Sequence, residues 1–452
     1  MKRSMILPFA ILAAVPFIMV LGNSMLIPVF PRMEAEMDLS QFQVGLLVTA
    51  FSVPAGLVIP FSGALSDYLG RKAIIAPALI LYGLGGLVAG TASLLLAEPF
   101  GVIIAGRIIQ GIGAGGTYQI ALALTGDLFT SSERTKALGL LEAANGLGKM
   151  VSPILGSLFA LITWYTPFFV YGILAIPLAL AVWWIVKEPE RKEGRRPIRQ
   201  YTQALARIFR EKAGGLLACY LAGAAGLFLL FGLLSYLSDV LEATYDIRDF
   251  AKGFVLAIPV TTMAVTSYAT GDLLQKRTPL LKPVVITGLL LTGASFLLLT
   301  FLGGLAWMLI LVSVIGLGIG ATLPPLNTLI TGATDTSERG LVTSLYGTVR
   351  FFAVALGPPV FGLVMELGRM PMFAGAAAIA AIAAAAAFFL VHAQRMLQGG
   401  TDQGKTQSES SGENGTLPAN SGGQPQHADA RPAPRGESTP VEEREPQPLL
   451  PR

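Results

Sequence analysis

Apolar residues run along this chain in long blocks parted by short polar breaks. Each block has the length a membrane-crossing helix needs, about 20 residues. Twelve such helices are expected, at approximately 5–30, 43–63, 73–95, 101–127, 137–161, 167–187, 214–238, 251–271, 284–302, 306–330, 341–366 and 372–394. The short basic start, Lys2-Arg3, leads into a stretch too long for a signal peptide, and no small-residue cleavage site follows it, so the first helix is expected to remain. Over 452 residues, 53% are hydrophobic and 13% charged, about half the ~25% charged content of soluble domains. An ordinary soluble enzyme is therefore excluded. The expected class is an all-α membrane protein. No cofactor is expected. The lone Cys219 rules out a disulfide framework or a cysteine metal site, and His392 and His427 are too few for histidine-cluster zinc chemistry, so no metal is expected.

Lysines and arginines fall on alternate loops. With the N-terminus inside, the inner loops hold Arg71 and Lys72, Arg134 and Lys136, a basic run from Lys187 to Lys212, Lys276, Arg277, Lys282 and Arg339. The outer loops hold Arg32, Arg248, Lys252 and Arg369 and are otherwise acidic, with Glu34, Glu36, Asp38, Glu98, Asp239, Glu242, Asp246 and Asp249. This bias predicts both termini in the cytoplasm of a multi-pass protein of the cell membrane. It also accounts for the net charge of +4 without nucleic-acid binding. The expected organisation is an N-terminal six-helix half (1–187), a cytoplasmic linker (188–213), a C-terminal six-helix half (214–395) and a disordered cytoplasmic tail (396–452) rich in Gly, Ser, Gln, Pro and Glu. Residues 203–212 are a candidate short amphipathic helix at the membrane surface.

The halves repeat at a constant offset of 205. Pro54 matches Pro259, Asp67 matches Asp272, Arg71-Lys72 matches Lys276-Arg277, Gly111, Gly113 and Gly115 match Gly316, Gly318 and Gly320, Thr117 matches Thr322, Ser132-Glu133-Arg134 matches Ser337-Glu338-Arg339, and Ser152-Pro153 matches Gly357-Pro358. No gap is needed between 54 and 153. Two pseudo-symmetric six-helix bundles of like orientation imply a substrate path between them, near the midplane.

The segment Gly63-Ala64-Leu65-Ser66-Asp67-Tyr68-Leu69-Gly70-Arg71-Lys72 closely resembles the signature loop of the major facilitator superfamily. Arg107 with Gln110, Gly111, Gly113, Ala114 and Gly115 resembles that superfamily's fourth-helix motif, common in proton-coupled members. Gly148, Ser152, Pro153 and Gly156 resemble the fifth-helix motif of its drug/proton antiporters, with serine in place of glycine at 152 and 157 and an unusual Lys149. The resemblance covers residues 5 to about 394. It implies the fold of that superfamily and the twelve-helix drug:proton antiporter group, which includes multidrug and siderophore exporters. It also implies a conformational latch at the inner face, carried here by Gly63, Asp67, Gly70, Arg71 and Asp127.

Charges inside the membrane are costly unless paired or wet. Four are retained: Arg107, Glu142, Lys149 and Arg350. Glu142, Asn145, Gly146, Lys149 and Pro153 share one face of the fifth helix. Glu142 is a candidate proton carrier, or simply the partner of an inner-loop arginine. Lys149 is a candidate to bind a substrate anion or exchange protons, or a packing salt bridge, and Arg350 a candidate substrate contact or a pair between the halves. The resemblance ties Arg107 to proton coupling; a bond to helix 1 or Gln110 is the structural alternative. The expected proton-coupling set is Glu142, Asp127 and Arg107. The expected substrate cavity is Arg107, Lys149, Arg350, Asn23 and Asn145. Three cations against one acid predict anionic or neutral substrates. Phe51, Phe61, Tyr118, Phe228, Phe231, Tyr236 and Tyr346 are candidate pocket aromatics. The glycines at 111, 113, 115 and 116 lie in an apolar helix, follow no strand and precede no Lys-Ser pair, so no nucleotide loop is expected. The expected partners are a small-molecule substrate, protons and the lipid bilayer, with no nucleic acid or nucleotide. The fold is self-sufficient as a monomer. The function expected is proton-coupled efflux by alternating access. An uptake symporter, a lipid flippase and a transport-dead sensor stay open as alternatives.

Overall fold

A computed structural model describes residues 3–129, 131–188, 198–274, 277–333 and 339–398, and the described residues contain helices and no strand. The tail expected from residue 396 lies, from 399 onward, outside them, as does the connector at 189–197. The first span is built from α1 (Arg3–Ser24), a 3-10 turn (Ile27–Val29) and α2 (Phe30–Met37), followed by α3 (Gln41–Leu69) and α4 (Arg71–Leu95). The fourth span is α5 (Phe100–Gly115) and α6 (Tyr118–Leu128); α7 (Ser131–Ala160) and α8 (Thr166–Ile185) complete the first half. Then come α9 (Ile198–Ala243), α10 (Asp249–Leu274), α11 (Leu281–Phe301), α12 (Leu305–Gly332), α13 (Arg339–Met365), α14 (Arg369–Leu390) and the short α15 (Ala393–Gln398).

Among the described residues, eleven spans are long and apolar enough to cross a membrane. The fifth predicted span is the exception. It is present as the 30-residue α7, but Glu142, Asn145 and Lys149 dilute its apolar character. The predicted amphipathic segment at 203–212 is helical and continuous with the seventh span, the chain bending at Lys212 (φ −129°, ψ 19°). There the Lys212 ammonium donates to Ala333 O (2.7 Å), where a cation suits the C-terminal end of α12.

Local chemistry sets the breaks. Ser40 and Gln43 form a reciprocal capping box that starts α3. Two spans are interrupted part-way. Past Ser24, Leu26 N turns to Asn23 O (3.3 Å) and Pro28 follows, so Gly22 O loses its helical partner. Gly116-Thr117 separates α5 from α6, with Thr117 at φ −112°, ψ −78°.

The glycine repeat is a packing repeat. Gly111 and Gly115 lie against the backbone of α3, and Gly113 against α4. In the second half Gly316 and Gly320 lie against α10, and Gly318 against α11. At each of the six, an added Cβ would strike facing atoms closer than real contacts allow. Val58, beside Gly115, and Met263, beside Gly320, keep the same offset of 205. Close approach of this kind replaces the hydrophobic drive that lipid removes. α4 packs on α8 and α11 on α14; these four peripheral helices carry no acidic residue, and their only bases, Arg71, Lys72, Lys282 and Arg369, sit in the first three residues of three of them.

Candidate functional site

The seams between the two sets of helices are sealed at one end and open at the other. Gly45, Thr49, Gly56 and Gly63 share a face of α3 that meets α13. At Gly45 an added Cβ would lie 2.7 Å from Pro359 N, and at Gly56 it would lie 3.2 Å from Phe351 Cβ. Thr49 donates to Ala355 O (2.6 Å) and Thr348 to Gly56 O (2.8 Å). At Gly63, and at Gly340 at the start of α13, nothing lies within 4 Å. The α7–α10 seam repeats this. Gly253 abuts Pro153 O at 2.7 Å, whereas Gly146 and Gly139, further along the Pro153 face, meet nothing within 4 Å. A cleft thus opens toward the end that carries Arg71. Gly63, named above as part of the latch, makes no close approach to α13 in this conformation.

The opposite end is closed by polar contacts. Arg32 pairs with Asp249 (2.5 Å) while its other nitrogen donates to Ala160 O (2.6 Å). Ser238 donates to Ile27 O (2.8 Å), and the buried Lys252 holds Glu242 (2.6 Å). A cavity of about 180 Å³ lies among these groups.

Three sequence-predicted residues, Glu142, Lys149 and Arg350, meet in the cleft. Glu142 is exposed and accepts a hydrogen bond from the Tyr118 hydroxyl. Lys149, two turns on, is half-buried and makes no hydrogen bond or ion pair among the described residues. It feels the charges of Glu142 and of Arg350 from the facing half. The Arg350 guanidinium lies 5.3 Å from the Tyr346 ring centre. Asn145 is buried on the flank of the same helix.

Arg107 and Asn23 are brought together elsewhere. Arg107 is fully buried and donates to Leu47 O (3.0 Å), Gly22 O (2.7 Å), Gln110 Oε1 (2.6 Å) and Asn23 Oδ1, with the Phe51 ring 4.6 Å away. The guanidinium thus supplies the partner that Gly22 O lost at the break in the first span, while Asn23 donates to Ser52 Oγ (2.9 Å). Of the candidate aromatics, Phe51 belongs to this knot, and Tyr346 is buried and stacked on Tyr220 at 5.6 Å. Phe61 is exposed, and Tyr118 faces Glu142.

At the open end, Arg71 pairs with Asp67 (2.8 Å) and Asp127 (3.4 Å) and donates to Ser66 Oγ (2.6 Å). Gly70 sits at φ 106°, a conformation that residues with side chains rarely adopt. Sequence reasoning missed Glu188. Its carboxylate accepts from Arg71 N (2.6 Å) and Lys72 N (3.0 Å), an anion on the N-terminus of α4. An acid directly after the sixth span was the only signal. Gly148 and Gly156 let α7 lie on the first span, against Phe17 and Met25, and Pro153 leaves Lys149 O without its helical donor.

The model of the Major Facilitator Superfamily matches residues 12–358 and 280–418. The chain belongs to the major facilitator superfamily. It is a multi-pass membrane transporter, not an enzyme. A Bacillus subtilis bacillibactin exporter is 39% identical over 364 residues, covering 80% of this chain and 90% of that protein. The multidrug efflux protein YfmO of the same organism is 28% identical over 360 residues, covering 76% and 83%. Among solved structures, a bacterial homolog of the human lysosomal transporter Spinster, inward-facing and occupied, superposes with a TM-score of 0.71 at 18% identity, covering 88% of this chain and 98% of that one. The human organic anion transporter TETRAN gives 0.67 at 19% identity, covering 86% and 100%. The architecture of the superfamily is thereby shared by this transporter.

Proposed function

We propose that this transporter is a proton-coupled exporter of small amphiphilic molecules, anionic or neutral, of the multidrug or siderophore kind, working by antiport in the cell membrane. The observation that carries the reading is the cleft's charge: Lys149 from one half and Arg350 from the other, neither in an ion pair among the described residues, with the carboxylate of Glu142 two turns away. The 39% identity to a bacillibactin exporter supports export of a siderophore-like molecule. The basic loops favour a cytoplasmic Arg71 end with both termini on the same side, and in that orientation the cleft faces inward.

In this reading the moving halves are residues 1–187 and 214–395, joined by 188–213. Substrate enters between Lys149 and Arg350 and draws the halves together. The Arg71 end closes, with Gly63 meeting α13, and the Arg32–Asp249 seal parts. A proton from outside then adds to Glu142 after release and resets the carrier, with Asp127 passing the change to Arg71. Arg107 holds the broken first span in register throughout.

The test uses inside-out vesicles loaded with a pH dye and energised to an acidic interior. Anionic, neutral and cationic amphiphiles are added to wild type and to Glu142→Gln. Interior alkalinisation by an anionic or neutral compound, absent in the variant, is expected. An identical response in both proteins removes Glu142 from the proton path. No response from the whole panel sinks the export reading.

A further inference from the structure

We propose that Tyr118 is the positioning residue that decides which partner Glu142 takes, and through it the charge the cleft offers to an anion. This rests on the substrate reading of Lys149 and Arg350 given above. Tyr118 is the first residue of α6, directly after the Gly116-Thr117 break. The second half has no such break: α12 runs unbroken through Thr322, and Leu323 stands in the tyrosine's place. The interruption and the phenol therefore occur together, in one half only.

The break brings the phenol to the open face of α7. There its hydroxyl donates to Glu142 Oε1. Seven residues along the same face stands Lys149, about 10 Å further by helical rise. Two extended side chains can close that gap, yet here Lys149 makes no ion pair among the described residues. The carboxylate is held by a neutral donor while the ammonium stands bare.

α7 itself carries Glu133, Arg134 and Lys136 in its first two turns, and the other surrounding charges are few. Of the elements packed on α7, α1 has only Arg3, α8 only Tyr171, and α6 has Tyr118 and Asp127, the latter paired with Arg71. α10 has Asp249 and Lys252 at its start and Tyr268 and Asp272 further on. From across the cleft α13 brings Arg350, which acts on both Tyr118 and Lys149. Glu142 is thus the internal anion best placed to neutralise Lys149, and the Tyr118 hydrogen bond is what keeps it off. A proton from water that adds to the Glu142 carboxylate removes this internal competitor altogether. Proton occupancy and anion affinity are in this way linked through one hydroxyl.

The experiment is a double-mutant cycle read at Lys149, on the full chain in liposomes. A sulfonated N-hydroxysuccinimidyl ester acylates the lysine, and peptide mass spectrometry gives the rate at Lys149 between pH 6 and 9. Freed of the hydroxyl, Glu142 should lean onto Lys149 in Tyr118→Phe and slow its labelling roughly fivefold at pH 8, the size of a partly exposed ion pair. In a Glu142→Gln background the same Tyr118→Phe change should do nothing. Equal rates in wild type and Tyr118→Phe overturn the proposal, as does an equal slowing in both backgrounds, which would mean a packing change.

A transport arm uses dansylglycine, anionic, and dansylamide, its neutral counterpart. Tyr118→Phe should raise the half-saturating concentration of the first roughly fivefold and leave the second unchanged. Equal effects on both overturn the proposal. Transport of neither probe counts against the export reading, and the labelling cycle, which needs no substrate, then decides the role of Tyr118 by itself.

Discussion

Weakening the seal at the Arg32 end should move the carrier away from its open-cleft state by a calculable amount. Among the polar contacts that cross between the halves there are the Arg32–Asp249 pair, whose side chains are 41% and 46% exposed, and the buried Ser238 bond to Ile27 O. A pair so exposed contributes about 1 kcal/mol at most. A neutral buried hydrogen bond contributes about 1 kcal/mol. Asp249→Asn and Ser238→Ala should each change the open-to-closed ratio roughly fivefold, and together roughly 25-fold. A preparation about nine-tenths open would fall to about two-thirds with one change and about a quarter with both. Gly63 is the natural reporter, because nothing lies within 4 Å of a Cβ there in the open state. A Gly63→Cys, Cys219→Ser chain carries that thiol alone and is the common background for every variant, so the added side chain's own bias against closure cancels in the comparison; an impermeant maleimide added to inside-out vesicles reads its exposure. Labelling should slow in proportion to the open fraction, and high salt should mimic Asp249→Asn. An unchanged rate in the double variant, or a faster one, would refute the reasoning that these contacts hold the cleft open.

Other outcomes follow from the same geometry. Gly111→Ala drives a Cβ into Phe51 O and should lower the unfolding temperature, at a cost of about 1–3 kcal/mol, whereas Gly63→Ala should leave thermal stability unchanged and reduce transport, as scanning fluorimetry and vesicle transport together will show. Glu188→Gln removes the anion from the start of α4 at a cost of about 1 kcal/mol; hydrogen exchange at the Arg71 and Lys72 amides should speed up while that of α12 stays the same. Arg107→Lys cannot reach the four acceptors the planar fork serves; it should destabilise the purified protein nearly as much as Arg107→Met, and rescue by lysine would argue that charge alone matters.

Much of this architecture is written in local pattern. Apolar blocks of spanning length place the helices, and the 205-residue offset pairs Gly111, Gly113 and Gly115 with glycines that make equivalent contacts in the second half. The face of Glu142, Gly146, Lys149 and Pro153 follows from helical spacing alone. What sequence could not reach are contacts between distant segments. Glu188 meets Arg71 across 117 residues, and Tyr118 meets Glu142 across 24, in both cases through tertiary packing that no periodicity reports. The interruption at Gly116-Thr117 is also hidden, since it lies inside a run apolar enough to read as one helix. The α7 span is the reverse case: its chemistry was legible because its hydropathy is weak.

Arg107 gives its donors to main-chain and amide oxygens and to no carboxylate among the described residues. Such oxygens have no proton to take up across the physiological range, and a guanidinium has none to give. The Arg71 and Arg32 ends differ, because each holds its arginine through carboxylates. In a carrier proposed to run on protons, the Arg107 knot is the fixed bearing: the part whose grip is the same on both sides of the membrane's pH difference, against which the titrating parts can turn.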